Sequence, residues 1–169
     1  IVATEALDDQ TVKKINPRDI AFADSRFVIN YFRLSADKRL LFGGGENYSQ
    51  ELSNNIISIV TKPLEKIYPF LKGVKIDYAW GGKLAITMNR LPFFTTLHQD
   101  KIISAQGYSG QGVALASYSG KLVSEKITGN GETFDIMAKI PRQSFPGGRF
   151  LRNPSMKLGM LYYSLMDRL

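Results

Sequence analysis

The 169-residue chain is 44% hydrophobic with a formal net charge of +7, which is enough apolar content for a folded core and excludes a disordered polyelectrolyte. It has no cysteine, which excludes disulfides and thiolate catalysis and fits a cytoplasmic protein. Its one histidine, His98, sits among polar neighbours, so neither a histidine metal site nor a Ser-His pair is predicted, and no apolar run reaches the roughly 18 residues of a membrane span.

The chain opens on Ile1 rather than Met, which reads as a piece of something longer. Residues 1–7, "IVATEAL", read as a short apolar strand. Acidic and polar residues follow, and "INPRD" is a turn. The aromatic and β-branched run 27–35, "FVINYFRLS", predicts a strand. "ADKR" turns it and "LLF" returns, giving an antiparallel pair.

Gly43, Gly44 and Gly45 then raise the question of a dinucleotide loop. Gly43 and Gly45 match its first two glycines, but the third position is Tyr48, and Glu46 would set a carboxylate against a phosphate. No ribose-binding acid follows on a second strand. The glycines read as architectural, serving a strand end where backbone approaches closely.

A helix is predicted from Ser49, its N-cap, to Leu71. Ile56, Val60, Leu64, Ile67 and Leu71 share one face, and Gly73 is a stop. Pro63 lacks a backbone donor and should kink or split the helix near Lys62. Residues 74–94 read as two strands around Gly81 and Gly82, and "KIISAQ" as another. "GYSGQGV", residues 107–113, is a glycine turn opening a helix whose Val113, Ala116, Gly120, Val123 and Ile127 form a face of small apolar residues. A proline-glycine connection leads to a last helix with Asn153 as N-cap and Pro154 at the first helical position. The order gives an α+β fold, a mixed and largely antiparallel sheet with flanking helices.

The chemistry is sought at Gly107, Tyr108, Ser109, Gly110, Gln111, Gly112 and Val113. Backbone amides at a helix start lack partners, and the macrodipole adds positive potential. Glycines let a planar group lie against the backbone. The place suits a phosphate or the N1/C2=O edge of a reduced flavin, while a plain strand-to-helix turn accounts for the pattern equally well.

The chain resembles the C-terminal part of FAD-dependent oxidoreductases of the D-amino-acid-oxidase superfamily, nearest to the branch containing γ-glutamylputrescine oxidase. The resemblance runs through "ATEAL", "YFRLSADKRLLFGGG", "YAWGGKLAIT", "NRLP", "GYSGQGV", "FPGGRFLRNP" and "YYSLMDRL", nearly the whole chain. It implies a fragment of a two-domain flavoprotein fold: residues 1–100 as a substrate-binding portion, 101–130 as the segment returning to the FAD-binding domain, and 131–169 as a C-terminal connection and helix. In that family the GYSGHGV-type turn lies against the flavin. Here Gln111 stands where histidine is usual, so a titrating side chain is lost, and "LPFFTTL" lacks the family's glycine after the proline. The ADP-binding fingerprint is absent, so the missing N-terminal half is an implied partner and FAD would be held weakly or not at all by this chain alone.

Tyr78 and Trp80 fall on a substrate-domain strand and would wall a cavity, although such aromatics are often core. Arg90, and less so Arg33, would pair a substrate carboxylate, unless Asp37 or Asp77 engages them. The implied activity of the parent is oxidation of an amine or amino acid. The rival reading is a non-catalytic basic module that uses Lys139, Arg142, Arg149, Arg152 and Lys157, a stretch free of acids, to bind a polyanion or a partner protein. Without an aromatic stacking platform, nucleic acid is not the expected partner.

Overall fold

The structure is a computed structural model, and it describes residues 1–26, 29–45 and 55–166. The chain divides into two units, one of Ile1–Gly82 with Asn153–Leu169, the other of Lys83–Arg152.

The first unit is built on a five-stranded sheet of β1 (Val2–Thr4), β2 (Phe22–Ala23), β3 (Tyr31–Leu34), β4 (Leu40–Gly43) and β5 (Ile76–Ala79), in the order β2-β3-β4-β1-β5. Every pairing is antiparallel, including the expected β3–β4 hairpin, so the sheet is not mixed. Phe32 pairs with Phe42 and Phe42 with Val2, so these three share one face. That face meets Val60 and Leu64 of helix α2 (Ile56–Ile67), and with Ile15, Leu34, Leu40 and Leu71 they form the main core. Phe32 stacks on Phe42 with centroids 5.3 Å apart.

Helix α2 bears on two expectations. Asn55 caps it, accepting a hydrogen bond from the Ser58 N–H, while Ser49 lies outside the described residues. Pro63 is inside it, and the helix is not split near Lys62. One missing backbone donor is offset by burial of Val60 and Leu64 on either side of the proline. A 3₁₀ turn, Pro69–Leu71, and Gly73 at φ +76° end the segment. Helix α1 (Asp9–Ile15) was not expected; Asp8 caps it, accepting from both the Thr11 N–H and Thr11 Oγ1.

The glycines after β4 are placed by close packing. A side chain at Gly43 would run into the Tyr31 ring, one at Gly44 into Asn30 Oδ1, and one at Gly45 (φ +69°) into Ile59.

The second unit holds the hairpin β6 (Phe93–Leu97) and β7 (Ile102–Gln106), with helices α3 (Gly112–Ile127) and α4 (Glu132–Ala138). Phe94, Leu122 and Phe134 are its buried cluster, the two rings meeting edge to face at 5.4 Å. Helix α4 was also not expected. Of the two strands predicted around Gly81 and Gly82, β5 ends at Ala79, and residues 81–92 form no assigned strand. The predicted small face of α3 is mostly the exposed one; Ser119 and Leu122 are buried instead. Helix α5 (Gly148–Met166) begins ahead of Asn153, so Pro154 lies inside it. The turn closed by the Gly148 N–H on the Phe145 carbonyl starts the helix early. No helix among the described residues is long and apolar enough to cross a membrane.

Candidate functional site at the 107–113 turn

The turn between β7 and α3 is held in an uncommon backbone conformation. Gly107, Ser109 and Gly110 have φ of +73°, +52° and +94°. A Cβ at Gly107 would lie 2.6 Å from Thr87 Cγ2, so this position needs glycine for space as well as conformation. Ser109 accepts the left-handed conformation because it is tied on several sides. Its N–H donates to the Ala85 carbonyl at 3.1 Å. Its Oγ accepts from the Thr87 N–H at 3.2 Å and donates to the Gly107 carbonyl at 3.2 Å. Tyr108 Oη donates to the Ala105 carbonyl, and the Gln111 N–H closes the turn on the Tyr108 carbonyl at 2.9 Å.

The outcome is a fixed backbone with one open side. A Cβ at Gly110 would meet nothing within 4 Å. Gln111 is the N-cap residue of α3, and no side chain caps the helix. Among the described residues, the first N–H groups of α3 at Gly112 and Val113 therefore have no partner, at the positive end of a 16-residue helix. Val113 is 97% exposed.

The substrate candidates divide between the units. Arg33 pairs with Leu41, Leu41 with Ala3, and Ala3 with Tyr78, so Arg33 and Tyr78 lie on one row of the sheet, on the face opposite the core. Three strand spacings separate them by about 14 Å. Tyr78 is 59% exposed; Trp80 follows β5, its backbone bonded both ways to Ile1. Arg90 belongs to the second unit and is exposed on a turn at φ +58°, with its N–H on the Thr87 carbonyl.

Neither arginine engages Asp37 or Asp77; Arg39 does. Its guanidinium donates to Asp77 Oδ2, to Asp37 Oδ2 at 2.7 Å and to the Thr4 carbonyl at 2.7 Å, and stands over the Tyr78 ring at 5.2 Å. Sequence reading missed this residue, because Asp77 is far along the chain and only the β4-β1-β5 order brings it close. The Arg39 hydrogen bond, then that of Lys75, hold the Asp77 carboxyl below its ordinary value. Among the described residues no group of three or more His, Cys, Asp or Glu side chains could hold a metal ion.

Sequence comparison gives this geometry a context. The profile of the DAO family, described as FAD dependent oxidoreductase, matches residues 1–126. The chain belongs to that family. It is 41% identical over all 169 residues to gamma-glutamylputrescine oxidoreductase of Escherichia coli (strain K12), of which it spans 39%. It is 40% identical over 155 residues, 92% of its length, to the probable oxidoreductase OrdL of Rhizobium meliloti, of which it spans 36%. The chain thus spans about two fifths of the length of these relatives. Among solved structures it is similar to L-proline dehydrogenase from P. horikoshii, with a TM-score of 0.56 and 23% identity, over 75% of this chain and 34% of that one. That likeness supports the α+β fold.

Proposed function

We propose that the intact protein oxidises a carbon–nitrogen bond of a small amine or amino acid with FAD, and that this chain supplies its C-terminal portion. Residues 1–100 are read as a substrate-binding portion, 101–130 as a segment returning to the flavin, and 131–169 as a connection and helix. The observation that carries the reading is the uncapped start of α3 beside a turn whose Gly110 opens onto free space.

When bound, FAD would supply the hydride-accepting chemistry for oxidising the carbon that bears the amine. The chain's own residues have simpler tasks. The Gly112 and Val113 N–H groups would donate to the N1/C2=O edge, with the α3 dipole behind them. Gln111 can hydrogen-bond there but cannot exchange a proton. Tyr78 and Trp80 would wall the substrate cavity. Arg33, on the same sheet face as Tyr78, and Arg90 would be the candidates for pairing a carboxylate.

The test uses the full-length protein. Gly110→Val places a branched side chain in the open space and strains a φ of +94°. Bound flavin and its reduction potential should fall by more than thermal stability does, whereas Gln111→His should keep all three. Normal flavin content and potential in Gly110→Val would reduce the turn to a structural connection.

A further inference from the structure

Residues 83–88, "KLAITM", meet Ser109 in a manner typical of an extended chain. The Ser109 N–H bonds the Ala85 carbonyl, and the Thr87 N–H bonds Ser109 Oγ. This is the pattern of a parallel β-bridge, except that a hydroxyl takes the place of the second carbonyl. In an extended chain, backbone groups two residues apart point to one side and those between them to the other. The N–H and C=O groups of Leu84 and Ile86 therefore face away from Ser109, while Met88 belongs to the turn that the Arg90 N–H closes on the Thr87 carbonyl. Among the described residues none of these Leu84 and Ile86 groups has a hydrogen-bond partner. The Leu84 and Ile86 side chains are 62% and 43% exposed and take no part in the Phe94–Leu122–Phe134 cluster.

The segment thus has one edge used and one edge open, with an apolar face beside the open edge. Such an edge is an association site, and proteins rarely leave one bare. The matched relatives, 40 to 41% identical, are more than twice as long as this chain, so about three fifths of such a polypeptide lies outside it. Lys83 is the segment's one charge, so the edge favours an apolar strand.

We propose that a β-strand from that remaining polypeptide adds to the open edge of residues 84–86, on the side opposite Ser109. The turn at 107–113 is then braced through Ser109 by a strand ladder instead of by a single extended segment. The inference concerns backbone pairing and does not depend on a flavin being bound.

Amide hydrogen exchange on the full-length protein, without added flavin, tests it. The Leu84 and Ile86 amides should exchange at least about 100-fold more slowly than an unstructured chain, and should do so unchanged on dilution. Exchange at the unstructured rate overturns the proposal. So does protection that disappears on dilution, which would assign the edge to a second copy. Ile86→Pro removes an outward N–H while leaving both Ser109 contacts, and Ile86→Thr keeps that N–H. Protection at Leu84 should drop about tenfold more in the proline variant than in the threonine variant. An equal drop counts against strand addition.

Discussion

Among the described residues, the unit of Ile1–Gly82 with Asn153–Leu169 buries eight hydrophobic residues in one cluster, with a helix closing one face of a five-stranded sheet. The Lys83–Arg152 unit buries three, under a two-stranded hairpin, while Leu84, Val113, Ile127 and Ile136 stay exposed. Apolar burial is the main favourable term in folding, so the first unit has most of what it needs within itself. Both units leave apolar side chains exposed, but the second has the smaller buried cluster to hold its hairpin, its two helices and the turn between them.

The sharpest way to break this contrast is to remove one buried ring from each unit. Phe42→Ala and Phe134→Ala each delete a fully buried side chain, at a cost of about 3–5 kcal/mol. Phe42→Ala should lower the denaturation midpoint and expose amides in β1, β3 and β4. Phe134→Ala has only Phe94 and Leu122 as buried neighbours to hold the remaining cluster. It should release amides in β6, β7 and α3 while leaving those of β1 and β4 protected. Residue-resolved hydrogen exchange reads both, and loss of protection everywhere in Phe134→Ala would show one shared core.

A second comparison lies within the turn. Gly107→Ala and Gly110→Ala both force a side chain into positive φ, at about 1–2 kcal/mol each. Only Gly107 also meets a neighbour, Thr87 Cγ2. Gly107→Ala should therefore be the more destabilising of the two by urea denaturation, and Gly107→Ala with Thr87→Ser should recover part of the difference. Equal losses would mean that conformation alone demands glycine at 107. Smaller again is Ser109→Ala, which removes the hydroxyl accepting from Thr87 N–H and should cost about 1 kcal/mol in the same measurement.

These positions also show what was legible in the sequence. The β3–β4 hairpin, the α2 face and the turn before α3 came from local signals: period-two aromatics, apolar residues at steps of three and four, clustered glycines. Helices α1 and α4 are seven residues each, too short for periodicity to stand out, although Asp8 three residues before Thr11 was a readable cap. On α3, small size is not the sign of contact, for the residues packed inward are Ser119 and Leu122. The "KLAIT" alternation is strand-like in sequence, yet a strand needs a partner, and the described residues give it only Ser109. Arg39 was beyond local reading, since its role depends on a neighbour two strands away in the sheet order.

Arg39 supplies the smallest of the expected effects, and one with a definite sign. Its guanidinium and Asp77 are 19% and 21% exposed, so their attraction is partly shielded from water. The hydrogen bond from Arg39, followed by that from Lys75, lowers the Asp77 pKa in the folded protein. For Asp37 the Ser35 hydroxyl comes first and Arg39 second, in the same direction. A carboxyl with a lowered folded pKa contributes stability that is fully present above the unfolded value of about 3.9, and that is lost as pH falls through the folded value. Arg39→Met keeps an unbranched stem over Tyr78 but removes the charge. The melting temperature of the wild type should exceed that of the variant at pH 6, and the gap should narrow steadily as pH falls below about 4. High salt at pH 6 should narrow it as well, since the pair is not fully buried. Lys75→Met should show the same trend more weakly, because its ammonium is 72% exposed. A gap that stays constant across pH and salt would assign the stabilisation by Arg39 to its packing on the Tyr78 ring and its bond to the Thr4 carbonyl, with the two carboxylates contributing nothing measurable.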